Sequence, residues 1–190
     1  MNSNKRLIFV RHSLVDHVDG VPARAWNLSD RGRIRARKLV DKLIEYHPEV
    51  IVSSDEPKAQ QTAEIIGEGL GLKYSVIRNI HEHDRRQVPY LTYDEFQSLV
   101  CEFFERPDAL VFGSETANQA LLRFRDSVNS VLESSAVKTV LVVSHGTVIS
   151  LFVSWLTGRS GYLFWKGLDL PSFVVLDLQS KTILHTENSV

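Results

Sequence analysis

A single cysteine, Cys101, occurs in the 190 residues, so no internal disulfide can form and no cysteine cage can hold a metal within one chain. That scarcity fits a reducing compartment, and the expected location is the cytoplasm. Long hydrophobic runs are missing as well. The apolar stretch 7–10 that follows Lys5-Arg6 is too short for a signal-peptide core, and no later segment is expected to span a bilayer. An excess of either sign of charge is missing too: 22 Lys and Arg against 23 Asp and Glu give a net value of -1. The chain therefore has no global field to gather nucleic acid or anionic membrane, and any anion must be bound by local clustering. Internal repeats, low-complexity tracts and flexible linkers are not seen. What is present is an apolar content of 43 %, enough to bury a full core, and residues 1–190 are expected to form one domain.

Residues 6–10 (RLIFV), 49–52 (EVIV) and 138–143 (KTVLVV) are short, β-branched, continuously apolar runs, the pattern of strands covered on both faces in a parallel sheet. Helical stripes lie between them. From Ser29, a predicted N-cap, Ala36, Leu39, Val40 and Leu43 share one face; after Asp55 come Ala59, Ala63, Ile66 and Leu70. Ala117, Leu121, Phe124, Val128 and Leu132 repeat the spacing, as do Val148, Ile149, Phe152, Val153 and Leu156. The alternation predicts an α/β fold, a three-layer sandwich with a mostly parallel sheet and helices on both faces. Residues 172–178 and 182–185, separated by QSK, predict a hairpin that adds an antiparallel edge, where a second copy could pair to form a homodimer. Residues 83–113 are rich in Phe and Tyr, with a helix predicted over Tyr93–Glu105, and are expected to form an insertion over the site.

In an open parallel sheet, ligands bind beyond the carboxyl ends of the strands. There the first run ends in Arg11-His12, the second in Ser53-Ser54 leading to Lys58, and the third in Ser144-His145-Gly146. Arginine offers a planar fork of donors, lysine a compact charge, and helix N-termini free amides, a combination suited to a phosphoryl group. A neutral histidine in such a pocket can attack phosphorus directly, and side-chain cations can stabilise the equatorial oxygens without a metal.

The motifs resemble those of the histidine phosphatase superfamily, which includes the cofactor-dependent phosphoglycerate mutases. FVRHS is similar to its strand ending in Arg-His-Gly, LSDRGRIRARKL to Leu-Thr-x-x-Gly-x-x-Gln-Ala, and SSDEPKAQQTAEII to Ser-Ser-x-x-x-Arg-Ala-x-Gln-Thr-Ala. FGSET resembles Gly-Glu-Ser, and VVSHG the second histidine motif. The resemblance implies that His12 is the nucleophile and that Arg11 and His145 hold phosphoryl oxygens. It implies that Glu82, in NIHEH, is the proton donor of the family's Leu-x-Glu segment, and that Lys58, Ser13 and Gly146 lie along the substrate. A carboxyl group beside cations needs burial to keep a proton, and the aromatic insertion is expected to shield Glu82. Two departures stand out. Lys58 replaces the family's arginine, keeping the charge and losing the bidentate grip. Ser13-Leu14-Val15 replaces Gly-Glu-Thr or Gly-Gln-Thr, removing polar groups that family members place near substrate.

The resemblance thus implies a metal-independent phosphoric monoester hydrolase of the histidine acid phosphatase type, acting on a small phosphorylated metabolite with no cofactor, nucleic acid or membrane partner. Its alternatives are a phosphoglycerate mutase, for whose long insertions the chain lacks room, and a degenerate member that binds a phosphorylated ligand without turnover. His81 and His83 share a strand-like face with no third ligand at convincing spacing, so no metal site is expected. The five basic residues of RGRIRARK flank an apolar stripe on both sides, as on a solvated helix, rather than forming a nucleic-acid face.

Overall fold

Strand β1 (Arg6–Arg11) takes the centre of the sheet because Leu7, Ile8, Phe9 and Val10 offer apolar side chains to both faces, and all four are fully buried. The computed structural model describes residues 5–85, 88, 89, 91–134 and 136–189. On one side β1 pairs in parallel with β4 (Thr139–Ser144), and on the other it runs antiparallel to β5 (Ser172–Asp177). Beyond β4 lie β2 (Val50–Ser53) and then β3 (Tyr74–Val76), both parallel; beyond β5 lies antiparallel β6 (Thr182–Glu187). The six strands are ordered β3-β2-β4-β1-β5-β6.

Strand alternation divides the core in two. Leu7, Phe9, Val140, Val142, Val174 and Leu176 face α3 (Tyr93–Glu105), α4 (Ala117–Ser134), α5 (Gly146–Thr157) and α6 (Gly161–Gly167). Ile8, Val10, Ile51, Leu141, Val143 and Val175 face α1 (Asp30–Leu43) and α2 (Pro57–Leu70), meeting Leu39, Leu43, Ala59, Ala63 and Ile66. The result is the expected three-layer α/β sandwich with a mostly parallel sheet and an antiparallel edge. Each fully buried Leu, Ile or Phe contributes roughly 1.5–3 kcal/mol. Phe9 touches two other rings, Phe124 at 5.4 Å and Phe152 at 5.0 Å between centroids, which makes it the keystone of the larger core.

Helix ends follow local chemistry. The Ser29 side chain accepts from the Gly32 N–H at the start of α1, and Thr92 with Glu95 forms a reciprocal capping box at the start of α3. Two elements were not expected. With three residues, two of them exposed, β3 shows no alternation, and the seven-residue α6 is too short for helical periodicity. No helix among the described residues is long and apolar enough to cross a membrane.

Candidate active site

Parallel register places Arg11 opposite Ser144, and the His12 N–H continues the ladder by donating to the Ser144 carbonyl at 3.0 Å. The next side chains, His12 and His145, therefore stand together at the carboxyl rim, their ring centroids 5.2 Å apart. His12 Nδ1–H donates to the Ser13 carbonyl at 2.8 Å. A carbonyl can only accept, so Nδ1 carries the proton and Nε2 of the neutral ring keeps its lone pair. Burial holds the His12 pKa well below the ordinary histidine value, and His145, Lys58 and Arg11 lower it further. The chain leaving His12 is braced from both helices on that face. Ser13 Oγ donates to the Gly32 carbonyl at 2.7 Å, and the Ser13 N–H donates to Thr62 Oγ1 at 3.1 Å. Gly32 is required there, since a Cβ would come within 2.0 Å of the Leu14 carbonyl oxygen.

Arg11 is anchored at one end and open at the other. Its Nη1 donates to the Leu168 carbonyl at 2.7 Å, while Nε passes over Gly146, where a Cβ would stand 3.0 Å away. Arg11 Nε and His145 Nδ1 are buried atoms that have no hydrogen-bond partner among the described residues. Both residues line the same cleft, and His145 is also the N-cap of α5. Ser54 Oγ lies 2.9 Å from His145 Nε2; donation from that hydroxyl leaves the proton of a neutral ring on Nδ1. Burial pushes the His145 pKa well down despite the opposing charge of Glu82, so the ring is neutral at rest. Two unpartnered nitrogen donors beside a helix N-terminus form a set complementary to an oxyanion.

Lys58, in the first turn of α2, donates to the Ala23 carbonyl at 2.8 Å and forms an ion pair with Glu56. Glu56 Oε1 in turn accepts from the Glu82 N–H at 3.0 Å and lies 3.5 Å from His145 Nε2. Glu82 is itself tightly held. Its Oε1 accepts from the His83 N–H at 2.8 Å and its Oε2 from the Thr147 N–H at 3.2 Å, with Arg85 Nη2 3.4 Å away. Burial pushes the Glu82 pKa up, as the aromatic shielding was expected to do. Arg85, His145 and the two amides outweigh it, and the carboxyl ends well below the usual carboxylate range. Glu82 is thus ionised in the unliganded protein, its burial notwithstanding.

The loop bearing Glu82 is stapled from α4. Arg123 donates to the carbonyls of Asn79 and His81 at 2.9 Å and of Glu82 at 3.0 Å, and pairs with Glu115 at 2.6 Å. Glu115, from the FGSET stretch, accepts from the Asp84 N–H at 3.0 Å. His81 Nδ1 donates to the Glu82 carbonyl at 2.8 Å, whereas His83 turns into an aromatic cluster with Phe103 4.2 Å from its ring centroid. No group of three His, Cys, Asp or Glu suited to a metal occurs among the described residues.

These residues open on one cleft of about 1020 Å³. Arg11, His12, Lys58, Glu82 and His145 all line it; Ser13 and Gly146 do not. Val15, Trp26, Val88, Pro89, Phe96 and Trp165 give it apolar walls, and part of this lining comes from the 83–113 segment. Sequence reasoning missed Glu56, Arg85 and Arg123. Glu56 lies inside a recognised motif, at a position the motif leaves free, and only its placement beside a lysine in a helix's first turn marks it out. Arg123 carries no local signal at all.

A sequence model described as the histidine phosphatase superfamily (branch 1) matches residues 7–187. Phosphoserine phosphatase 1 of Hydrogenobacter thermophilus is 27 % identical over 161 residues, covering 82 % of this chain and 76 % of its own. The Cronobacter sakazakii protein named Probable phosphoglycerate mutase GpmB is 25 % identical over 140 residues, covering 71 % and 65 %. Among solved structures, mycobacterial glucosyl-3-phosphoglycerate phosphatase superposes with a TM-score of 0.75 at 22 % identity, covering 98 % of this chain and 99 % of that one. The α-ribazole phosphatase of Shigella flexneri gives 0.74 at 21 %, covering 97 % and 96 %. The two superpositions establish a common fold. With the family's sequence pattern matched from the first residues of β1 to the last of β6, the chain belongs to the histidine phosphatase superfamily, branch 1.

Proposed function

We propose that this chain is a metal-independent phosphoric monoester hydrolase that works through a phosphohistidine on His12. The observation that carries the reading is the bond from His12 Nδ1–H to the Ser13 carbonyl, which leaves the Nε2 lone pair available in a cleft that also holds the unpartnered Arg11 Nε and His145 Nδ1. Nε2 attacks phosphorus, the bond to the leaving oxygen breaks, and that oxygen takes a proton from Glu82. Water then gives a proton back to Glu82 and attacks the phosphohistidine, releasing inorganic phosphate and freeing Nε2. Glu82 acquires the first proton with the substrate, because a phosphoryl dianion beside it disfavours its ionised form. Arg11 and Lys58 supply the positive charge that the transferring group requires, and the neutral His145 ring offers its Nδ1–H to a phosphoryl oxygen. The natural substrate in this reading is a small phosphorylated metabolite, its leaving group shaped by the apolar walls of the cleft.

Hydrolysis of an aryl phosphate in the presence of a chelator, native against His12→Ala, tests the mechanism. Activity that survives chelation and disappears in the variant is the expected result. Rapid-quench trapping of labelled phosphate on the native chain should show an acid-labile phosphoenzyme. Transfer of the group between phosphoglycerates, rather than to water, would replace the hydrolase reading with a mutase. One observation favours a second reading, a phospholigand binder without turnover: the Lys58 charge is already met by Glu56. Phosphate binding without hydrolysis of any monoester would select it.

A further inference from the structure

We propose that Glu56 is an internal counter-ion that competes with the substrate's phosphoryl group for Lys58, and so sets how tightly this site holds phosphate. The inference rests on the phosphate-site reading of the cleft, which Glu56 and Lys58 both line.

Glu56 occupies the N-cap of α2, ahead of Pro57, yet its side chain makes no capping bond to that helix. It turns instead into the site. Its Oε2 meets Lys58, while its Oε1 accepts the Glu82 N–H at 3.0 Å and lies 3.5 Å from His145 Nε2. The two charged side chains are 4 % and 7 % exposed, so water and salt screen their attraction little. Lys58 has three N–H donors, of which Glu56 takes one and the Ala23 carbonyl another. One donor remains for a phosphoryl oxygen.

The consequence follows from the difference between lysine and the arginine that the family pattern carries at this place. An arginine fork could bond a carboxylate on one edge and phosphate on the other. A lysine is a point charge, and the negative charge that neutralises it is subtracted from what the incoming dianion feels. Glu82, the carboxylate whose backbone N–H Glu56 accepts, is already compensated by Arg85 and two backbone amides. The compensation of Glu56 comes from Lys58 and a single amide, so phosphate must share Lys58 with it. This arrangement weakens the hold on substrate and on product phosphate alike.

The test is calorimetric titration of inorganic phosphate into the full chain, native and Glu56→Gln, with thermal unfolding recorded for both. Glutamine keeps the shape and can still accept the Glu82 N–H while removing the charge. The variant should bind phosphate about tenfold more tightly, the scale of one charge pair at several ångströms in an intermediate dielectric. A merely structural role for Glu56 predicts the opposite, since a damaged site does not gain affinity. Unchanged or weaker binding by a folded variant overturns the proposal. Should Glu56→Gln fail to fold, Lys58→Arg decides: tighter phosphate binding supports the competition, and unchanged or weaker binding overturns it. The titration requires no turnover. A chain that binds phosphate but cleaves no monoester sinks the hydrolase reading alone, while aryl phosphate hydrolysis with no phosphate binding by either protein sinks this one alone.

Discussion

Arg123 on α4 donates to the backbone carbonyl of Glu82 at 3.0 Å, across 41 positions of sequence, and the same guanidinium holds the Asn79 and His81 carbonyls. One side chain thus fixes the loop that carries the proposed proton donor, without itself lining the cleft. Arg123→Met leaves those carbonyls and the Glu115 carboxylate without their cation. Losing one partner of a largely buried pair costs roughly 3 kcal/mol of stability. Turnover of an aryl phosphate should fall about 10–100-fold in kcat with KM changed far less, because a misplaced acid affects bond cleavage more than phosphate binding. Arg123→Lys should restore part of the loss. Equal falls in binding and turnover, seen in steady-state kinetics beside a thermal melt, would show Arg123 to be a general stabiliser only.

Gly146 lets the Arg11 side chain pass. An alanine Cβ would stand 3.0 Å from Arg11 Nε and 3.1 Å from its Cζ, tighter than ordinary contact, so the guanidinium must give by a few tenths of an ångström. Gly146 is the first residue of α5 and has no positive φ, so alanine there also stabilises by about 0.4–1 kcal/mol through the less flexible unfolded chain. Gly146→Ala is therefore expected to melt no lower than the native chain while its inhibition by orthovanadate weakens about tenfold. A lower melting temperature with unchanged vanadate inhibition would mean that the glycine serves the backbone and not Arg11.

The readable parts of the molecule were those whose signal is local. Strands β1, β2 and β4 announce themselves as continuous apolar runs, and α3 lies at Tyr93–Glu105, where its pattern put it. Because strand ends of a parallel sheet share a rim, the sequence alone brings His12, Lys58 and His145 to one place. The unread parts depend on side-chain direction over long separations. Glu56 reaches the Glu82 amide 26 residues away, and whether it caps α2 or crosses to that loop is decided by packing that no helical pattern records. The balance at Glu82 was unreadable for the same reason: its burial was foreseeable, but Arg85 and the Thr147 amide come from loop and helix geometry. At β3, Tyr74 and Val76 bracket a single serine, too little for a period of two to be seen.

His12 offers a prediction in activity. Burial and its cationic neighbours keep its pKa well below the ordinary histidine value, so the nucleophilic neutral ring persists as pH falls through about 6.5. For an aryl phosphate, kcat/KM should not drop on crossing that pH, and its acidic limb should lie lower. An inflection near 6.5 attributable to the free enzyme, absent from product-release controls, would contradict a buried His12.

His83 makes the matching prediction in stability. Its ring lies against Phe103 and Phe112, with centroids 4.2 and 4.7 Å away, and burial followed by the nearby Arg85 charge pushes its pKa down to about 4. In the unfolded chain the value returns to about 6.5. Between those limits the unfolded state binds a proton that the folded state refuses, so stability is complete above about 6.5 and declines as pH falls toward 4. The span corresponds to roughly 3 kcal/mol for this one group. His12 and His145 are shifted in the same direction and steepen the decline. His83→Phe removes one titrating ring while keeping an aromatic side chain in the cluster. Thermal melts of both proteins from pH 8 to 4 should agree within a few degrees at the alkaline end and diverge below 6.5, the variant falling less steeply. Parallel curves through the acidic range would mean that His83 takes its proton without unfolding, and that the aromatic cluster opens to water before the fold is lost.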